Sequence, residues 1–265
     1  MDRSAPVIAV LGAGSWGTAL AILLARNGSS VRLWGLEREI QALIKDGENR
    51  QFLPGIPFPE GLAPTLDLEQ ALDGAEEVLV VVPSHAFPSL LESIKPMLGE
   101  NTTLSWATKG LEKQTGQLLS TVAQQILGDR PIGVISGPTF AGEVARGLPT
   151  AVTVASTSRE HAERVAGYLH SERFRAYSSD DIIGLQIGGA AKNVMAIAAG
   201  IADGLNFGAN TRAALITRGL AEIMRLGLAM GGKQETFMGL GGLGDLALTC
   251  TDNQSRNRRM GLALA

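Results

Sequence analysis

Short apolar runs alternate with longer helix-forming stretches through the first two-thirds of the chain. This alternation is typical of a parallel sheet whose strands are joined by crossover helices. The run 78–82 is apolar at every position, as expected for a strand that is buried on both faces. The pattern predicts strands at 7–11, 30–34, 77–82, 102–107, 132–135 and 151–155, and helices at 17–27, 38–46, 87–95 and 116–127.

The pattern changes near Asp180, after which β-branched runs become rare and Ala, Leu, Ile, Met and Gly predominate. The later elements predicted are helices at 185–201 and 212–230 and a glycine-rich corner at 239–244. We therefore expect a doubly wound α/β domain with a mainly parallel sheet over residues 1–180, followed by an all-α domain over residues 181–265. One continuous domain is the alternative.

Residues 12–17 read Gly-Ala-Gly-Ser-Trp-Gly, which fits the pattern G-x-G-x-x-G directly after a predicted strand and at the start of a predicted helix. In that setting the pattern indicates a Rossmann-type fold that binds NAD or NADP. Gly12 permits the tight turn, Gly14 lets the backbone approach the pyrophosphate, and Gly17 lets the helix pack on the strand. The pyrophosphate would lie on the free N–H groups of the helix N-terminus. An ordinary glycine turn is the alternative.

The second predicted strand lacks the acidic residue that usually follows it in this fold. An acid there would bind the ribose 2′-hydroxyl and favour NAD. Its absence, with Arg32 and Arg38 close by, leaves room for a 2′-phosphate, so the sequence permits NADP as well as NAD. Arg38 is therefore a candidate cofactor contact, and a solvated helix charge is its alternative role.

Polar residues follow three of the predicted strands, at the sheet edge where ligands bind in open parallel sheets. Ser84 and His85 follow the third strand, Lys109 follows the fourth, and Thr139 lies just after the fifth. A lysine at such a position can hold a phosphate or polarise a carbonyl, and is otherwise a surface charge. Thr139 is otherwise the N-cap of a helix.

Lys192 is the only charged residue between Asp181 and Asp203. The helix around it is apolar nearly all round, so we expect it to be buried. Burial of an unpaired ammonium group lowers its pKa, which suits the group to proton transfer near neutral pH. The alternative is that the lysine stem extends to the surface.

An acid and three arginines follow the glycine-rich corner. Asp245 ends the corner, and Arg256, Arg258 and Arg259 lie a short distance beyond it. Arginine binds phosphate through two parallel hydrogen bonds, so the group predicts an anion pocket. A solvated basic helix end is the alternative, and it explains Arg258 and Arg259 more readily than all three.

Composition narrows the classes of function. Hydrophobic residues make up 45% of the 265 residues and charged residues 18%, which excludes disorder. The net charge of −3 argues against nucleic acid as a partner. The single cysteine, Cys250, excludes an intramolecular disulfide, fits a reducing cytoplasm and, with only three histidines, argues against a metal site. The N-terminus does not resemble a signal peptide, and Lys192 interrupts the most apolar stretch, so no membrane span is expected.

Taken together, the motifs resemble the cytoplasmic NAD(P)-dependent glycerol-3-phosphate dehydrogenases of bacterial type. The matching segments extend in order over nearly the whole chain, and the later ones are specific to this family rather than to dinucleotide folds at large. They are 12–21, 82–86, 107–112, 136–141, 189–194, 203–205, 213–219 and 241–257.

The resemblance implies reversible hydride transfer between NAD(P)H and dihydroxyacetone phosphate, giving sn-glycerol 3-phosphate for glycerophospholipid synthesis. Lys192 matches the proton donor and acceptor of the family. The cofactor contacts that it implies beyond the glycine loop are Ser15, Trp16, Lys109, Ala141 and Arg256. The substrate site that it implies comprises Lys109, Gly137, Thr139, Lys192, Asn193, Asp245, Thr249, Ser255, Arg256 and Asn257. We therefore expect a cytoplasmic enzyme that acts on a small phosphorylated molecule, with a homodimer left open as its assembly.

Two departures from the family pattern bear on these expectations. Leu36 stands where the family commonly has a polar or basic residue near the adenosine ribose, which weakens a preference for NADP. Family members usually continue beyond the position of Ala265 with further helices and a cofactor-contacting Glu, so the helical domain is expected to be shortened.

Two other functions remain open from the sequence. One is a related β-hydroxyacid or ketopantoate-type reductase, and the other is a module that binds NAD(P) without turnover. Arg256 favours a phosphorylated substrate over the first, and Lys192 in an apolar helix argues against the second.

Overall fold

A sheet of eight strands forms the framework of the first part of the chain in the computed structural model, which describes residues 5–265. Its strands are β1 (Val7–Leu11), β2 (Ser30–Trp34), β3 (Leu62–Thr65), β4 (Glu77–Val80), β5 (Thr103–Trp106), β6 (Ile132–Ser136), β7 (Thr150–Ser156) and β8 (Phe174–Ser179). The first six run parallel in the order β3-β2-β1-β4-β5-β6, which is the order of doubly wound dinucleotide-binding folds. β7 pairs antiparallel with β6, and β8 pairs parallel with β7.

Helices cover this sheet and then continue beyond it. Those that alternate with the strands are α1 (Ser15–Arg26), α2 (Glu37–Asp46), α3 (Leu68–Leu72), α4 (Phe87–Ile94), α5 (Leu119–Leu127), α6 (Ala141–Ala145) and α7 (Arg159–Leu169). Those that follow the last strand are α8 (Ile182–Gly204), α9 (Gly208–Ala229), α10 (Gln234–Met238), α11 (Asp245–Thr251) and α12 (Arg256–Leu264). Short 3₁₀ turns lie at Ser84–Ala86 and Lys95–Met97, and a π-helical turn at Leu240–Gly244 leads directly into α11.

The predicted fold class, a mainly parallel doubly wound sheet followed by helices, is confirmed. The six predicted strands correspond to β1, β2, β4, β5, β6 and β7, with ends that differ by at most two residues. The sequence pattern does not predict β3 or β8. Both are edge strands, and since an edge strand is partly exposed, neither carries an apolar run; β3 even contains Pro64.

The proposed division after residue 180 falls between β8 and α8, where strands give way to helices. α8 nevertheless packs on β6 of the sheet as well as on α9, α11 and α12. The division into two domains at this point therefore stays a prediction.

Apolar side chains cover both faces of the sheet. On the central strand β4, Val78, Leu79 and Val80 are at most 2% exposed, as expected for a strand between two layers of helices. Residues from α1, α2, α6 and α7 form the core on one face, and residues from α3, α4 and α5 form the core on the other. There Phe87 packs edge-on against Trp106, with ring centroids 5.5 Å apart. Burial of one such side chain stabilises the fold by about 1.5–3 kcal/mol.

The backbone of α8 packs directly against the backbone of neighbouring elements because glycines lie at the points of contact. A Cβ atom at Gly188 would lie 2.5 Å from the carbonyl oxygen of Gly241 in the π-helical turn, and one at Gly200 would overlap the carbonyl oxygen of Arg258 on α12. By length and composition alone, α8 could cross a membrane, yet half of its most apolar window is buried inside the protein. Its apolar character therefore follows from its place in the helical core.

Gly17→Ala and Gly167→Ala make the same chemical change in two helices and should shift stability in opposite directions. A Cβ at Gly17 would overlap the carbonyl oxygen of Gly12, so we expect the free energy of unfolding to fall by about 1–3 kcal/mol. Gly167 lies in α7 with open space around its Cβ position, so alanine there should raise it by about 0.5–1 kcal/mol. Urea unfolding measures both, and shifts of the same sign would contradict the packing argument.

Candidate active site

The loop between β1 and α1 has the geometry of a phosphate cradle. Gly12 adopts φ +125°, and a Cβ there would lie 2.5 Å from the carbonyl oxygen of Val81, so only glycine fits. A Cβ at Gly14 would meet nothing within 4 Å, which leaves open space over the first turn of α1. In the described part of the chain no side chain caps this helix, so its first N–H groups are free to bind an anion. The loop therefore fits the pyrophosphate of a dinucleotide, with Ser15 and the half-buried Trp16 in that first turn.

The end of β2, which would face the adenosine ribose, carries few polar groups. Leu36 is exposed there, and Arg38 is exposed in the first turn of α2. Arg32 is already engaged, because its guanidinium donates to the carbonyl oxygens of Gln70, at 2.6 Å, and Asp73. Of the two arginines near this strand, Arg38 is the one whose side chain remains available for a phosphate.

Two lysines from different elements converge on one buried carboxylate. Lys109, just after β5, donates from Nζ to Oδ2 of Asp245 at 2.7 Å, and Lys192 on α8 donates to Oδ1 of the same residue. Asp245 opens α11 and is completely buried. Thr249, one turn later, accepts a second hydrogen bond from Lys192 Nζ at 2.9 Å and donates to the carbonyl oxygen of Asp245 at 2.6 Å. The expectation that Lys192 is buried is correct, but the expectation that it is unpaired is wrong.

The pKa of Lys192 is lowered to about 7 although the group touches a carboxylate. Burial is the largest cause, and the charge of Lys109 acts in the same direction. Asp245 raises the pKa without compensating for both effects. The Lys192 amino group can therefore give up and regain a proton near neutral pH.

The end of β6 forms the next wall of the site. A Cβ at Gly137 would lie 2.9 Å from Cα of Val152 on β7, so this position requires glycine. Thr139 donates from its hydroxyl to the carbonyl oxygen of Gly137 at 3.3 Å. It is not the N-cap of α6, because Phe140 holds that position and Ala141 begins the helix.

Ser136 lies in the matching segment 136–141 but is not among the predicted site residues. Its side-chain oxygen is buried and has no hydrogen-bond partner among residues 5–265. It lies 3.0 Å from the position that a Cβ of Gly189 would occupy, one turn before Lys192 on α8. Its place at the carboxyl end of β6 was the available signal, but no pattern shows which way a serine at a strand end points.

The segment before α12 lies beside α8 and α6. Asn257 Nδ2 donates to Oδ1 of Asn193 at 2.8 Å, which joins the first turn of α12 to the residue next to Lys192. Gln254 Nε2 donates to Oε1 of Glu143 on α6 at 2.8 Å. Ser255 is the N-cap of α12, because its hydroxyl accepts the Arg258 N–H at 3.2 Å.

The exposure of the three arginines near α12 differs in part from what the sequence predicts. Arg256 and Arg259 are exposed. Arg258, by contrast, is buried and pairs with Asp203, so the interpretation of Arg258 as a solvated charge at a helix end is wrong. The reason is that Arg258 lies on the face of α12 that packs against α8, which the spacing of charges alone does not reveal.

Many of the predicted site residues thus lie at one edge of the sheet. Lys109, Lys192, Asp245 and Thr249 are directly linked by hydrogen bonds, and Asn193 is linked to Asn257. The glycine loop after β1 and the segment 137–141 after β6 approach the same edge from the sheet. Arg38, Arg256 and His85 are exposed. A buried lysine–carboxylate pair at the sheet edge that also carries an uncapped helix N-terminus suits proton transfer to a substrate held next to a dinucleotide.

Two family models match this chain. The model described as the N-terminus of NAD-dependent glycerol-3-phosphate dehydrogenase covers residues 7–162, and the model of its C-terminus covers residues 181–265. The first includes the glycine loop and Lys109, and the second includes Lys192, Asp245 and the α12 arginines.

Relatives and a solved structure agree with the family models. The glycerol-3-phosphate dehydrogenase [NAD(P)+] of Colwellia psychrerythraea is 60% identical over 97% of this chain and 78% of its own length. That of Thioalkalivibrio sulfidiphilus is 61% identical over 98% of this chain and 79% of its own length. The crystal structure of glycerol-3-phosphate dehydrogenase from Coxiella burnetii is 52% identical, covers 99% of this chain and 81% of its own, and superposes with a TM-score of 0.96. This chain belongs to the NAD-dependent glycerol-3-phosphate dehydrogenase family.

Proposed function

We propose that this protein reduces dihydroxyacetone phosphate to sn-glycerol 3-phosphate with NADH or NADPH, and catalyses the reverse oxidation. The observation that carries the proposal is the buried pair of Lys192 and Asp245 at the sheet edge where the glycine loop ends. Membership of the family, and relatives named for this activity, support it over the ketopantoate-type reductase and the non-catalytic module.

The glycine loop is the proposed cofactor site. Gly12, Gly14 and Gly17 would shape it, and the N–H groups of Ser15 and Trp16 in the first turn of α1 would bind the pyrophosphate. When bound, the cofactor supplies or accepts the hydride. Arg38 would lie toward the adenosine end, while Lys109, Ala141 and Arg256 complete the proposed set of cofactor contacts.

Lys192 is the proposed proton donor and acceptor. Reduction of a ketone adds a hydride to carbon and a proton to oxygen, and Lys192 would supply that proton and become a neutral amine. Asp245 and Thr249 hold the amino group in place, so that its remaining N–H bond is available to the substrate oxygen. In the direction of alcohol oxidation, the neutral amine would take the hydroxyl proton.

Arg256 is the proposed anchor for the substrate phosphate. A dianionic phosphate favours a rigid two-pronged donor, which arginine provides and lysine does not. The phosphate does not react, but its binding energy can hold the carbonyl in place for the reaction. The proposed substrate site also includes Gly137, Thr139, Asn193, Ser255 and Asn257.

We propose a soluble enzyme of the cytoplasm whose product feeds glycerophospholipid synthesis. The single, buried Cys250 is compatible with a reducing compartment, and burial raises the pKa of its thiol to about 11, so that it stays protonated.

The direct test is NADH oxidation by the purified 265-residue protein, followed at 340 nm with dihydroxyacetone phosphate as the acceptor. Turnover with this substrate supports the proposal. Cofactor binding without turnover would support the non-catalytic module instead, and turnover with ketopantoate alone would support the other reductase.

Lys192→Ala should lower kcat by about 10²–10⁴-fold, because the substrate oxygen loses its proton donor. Lys192→Arg should fail as well, since a guanidinium stays protonated. NADH affinity, measured by fluorescence titration, should change little in either variant. Lys113→Ala removes an exposed lysine and serves as the control. Near-normal turnover in Lys192→Ala would remove the residue from the proposed role.

Raising the pH should slow the reduction of dihydroxyacetone phosphate and speed the oxidation of glycerol 3-phosphate. Reduction needs protonated Lys192, whose pKa is about 7, so its kcat/KM should fall as the pH rises through about 7. Oxidation needs the neutral amine, so its kcat/KM should rise over the same range. Lys192→Ala should lose this inflection in both directions; an unchanged inflection in the variant would assign it to another group.

Arg256→Ala should lower kcat/KM for dihydroxyacetone phosphate by about 10–100-fold, because hydrogen bonds to charged groups contribute about 1.5–3 kcal/mol. The residual rate with unphosphorylated dihydroxyacetone should change far less. Arg259→Ala is the matched control, since Arg259 is exposed on the same helix, whereas Arg258 is buried. Equal proportional losses with both substrates would show that Arg256 does not act through the substrate phosphate.

Both NADH and NADPH should be accepted, because no acid at the end of β2 rejects a 2′-phosphate and Arg38 is exposed nearby. Initial rates with each cofactor measure the preference. Arg38→Ala should weaken NADPH binding more than NADH binding. A preference for NADH above about a thousandfold, or roughly 4 kcal/mol, would contradict this prediction.

A further inference from the structure

An ion pair that takes no part in the proposed chemistry lies where α8, α9 and α12 meet. Nη2 of Arg258 lies 2.5 Å from Oδ2 of Asp203, and the two side chains are only 9% and 10% exposed. Asp203 lies near the end of α8, and Arg258 lies in the first turn of α12. The pair therefore joins the helix that carries Lys192 to the helix that carries Arg256.

Arg258 holds more than its carboxylate partner. Its Nη1 donates to Oδ1 of Asn253 in the segment before α12, and its backbone N–H donates to the hydroxyl of Ser255. One residue thus fixes the approach to α12, the N-cap and the end of α8 at once. Arg256 lies within this segment, between the N-cap and Arg258.

The backbone contacts leave α12 little freedom to shift. A Cβ at Gly261 would overlap the carbonyl oxygen of Ile197, so α12 lies against α8 without side chains between them. Asn257 is tied to Asn193, on the side nearer Lys192. The direction of the Arg256 side chain is then determined by how the first turn of α12 is anchored on α8.

Asp203 also pairs with Arg212, which serves as a control for the Asp203–Arg258 pair. Arg212 on α9 donates from Nη1 to Oδ1 of Asp203 at 2.9 Å, and its side chain is 31% exposed. Burial raises the pKa of Asp203, but hydrogen bonds from Arg258 and Arg212 outweigh it and hold the pKa below its ordinary value. The carboxylate is therefore charged, and Arg212 binds it without touching the segment that leads to Arg256.

We propose that the Asp203–Arg258 ion pair positions residues 252–257 so that Arg256 reaches the substrate phosphate. Arg258 is thus a positioning residue that acts through Arg256. The inference rests on the proposed function. Because misplacing a binding group by about 1 Å can cost about 10²-fold in rate, loss of the pair should be visible in kinetics even where the protein remains folded.

The test compares Arg258→Met, Asp203→Asn and the control Arg212→Met in the full chain. Arg258→Met and Asp203→Asn should each lower kcat/KM for dihydroxyacetone phosphate by about 10–100-fold, mainly through KM. The rate with unphosphorylated dihydroxyacetone should stay within about twofold of the wild type. Arg212→Met should leave all of these parameters within about twofold.

Two further variants separate positioning from general destabilisation. The double variant Asp203→Asn with Arg258→Met should lose no more than either single variant, since both break the same pair. Arg258→Lys keeps the charge but cannot reach two partners in the same way, so its loss should be intermediate. If Arg258→Met does not fold, as judged by thermal unfolding, Asp203→Asn and Arg258→Lys decide the question.

The kinetic results distinguish a failure of this inference from a failure of the proposed function. Equal proportional losses with phosphorylated and unphosphorylated substrate would overturn the inference while leaving the proposed function standing. An effect of Arg212→Met as large as that of Arg258→Met would also overturn it, since the charge of Asp203 rather than the anchoring of α12 would then matter. A wild-type protein without turnover of dihydroxyacetone phosphate would overturn the proposed function and the inference together.

Discussion

The carboxylate of Asp245 is the point on which the site depends. It is completely buried, and a lone charge there would be costly, so it needs the two ammonium groups of Lys109 and Lys192. Those lysines come from the end of β5 and from the middle of α8, which makes the pair of contacts a tie between the sheet and the helices. The same contacts that satisfy the buried charge therefore also set the distance between the sheet edge and Lys192.

Glycines make this arrangement sterically possible. Asp245 can reach Lys192 because the turn before it approaches α8 at backbone distance, where Gly188 faces Gly241. At the other end of α8, Gly200 and Gly261 let α12 approach in the same way. The chain has 33 glycines, and close helix packing accounts for some of them while tight turns account for others. Larger side chains at these positions would move the helices that carry the charged groups apart.

The sequence predicts the parallel core of the fold better than its edges. Buried strands such as β4 are recognised because both faces are apolar, while β3 and β8 are not, because each is only partly buried. For the site, Lys192 stands out as the single charge in an apolar helix. Its partner could not be predicted from local pattern, because Asp245 is far away in sequence and only the packing of α11 on α8 brings the two together.

Arg258 shows that residue type alone does not predict which of several neighbouring arginines is buried. Three arginines in one short segment are equivalent in composition, but the helical period places Arg258 on the packed face and leaves Arg256 and Arg259 exposed. Arg258 therefore anchors α12, while Arg256, two positions earlier, has an exposed guanidinium. The opposite problem arises at Lys192, where pairing alone suggests a stable ammonium, yet burial and the neighbouring Lys109 keep its pKa near 7. In both cases solvent exclusion, rather than residue type or the presence of a partner, decides what the charged group can do.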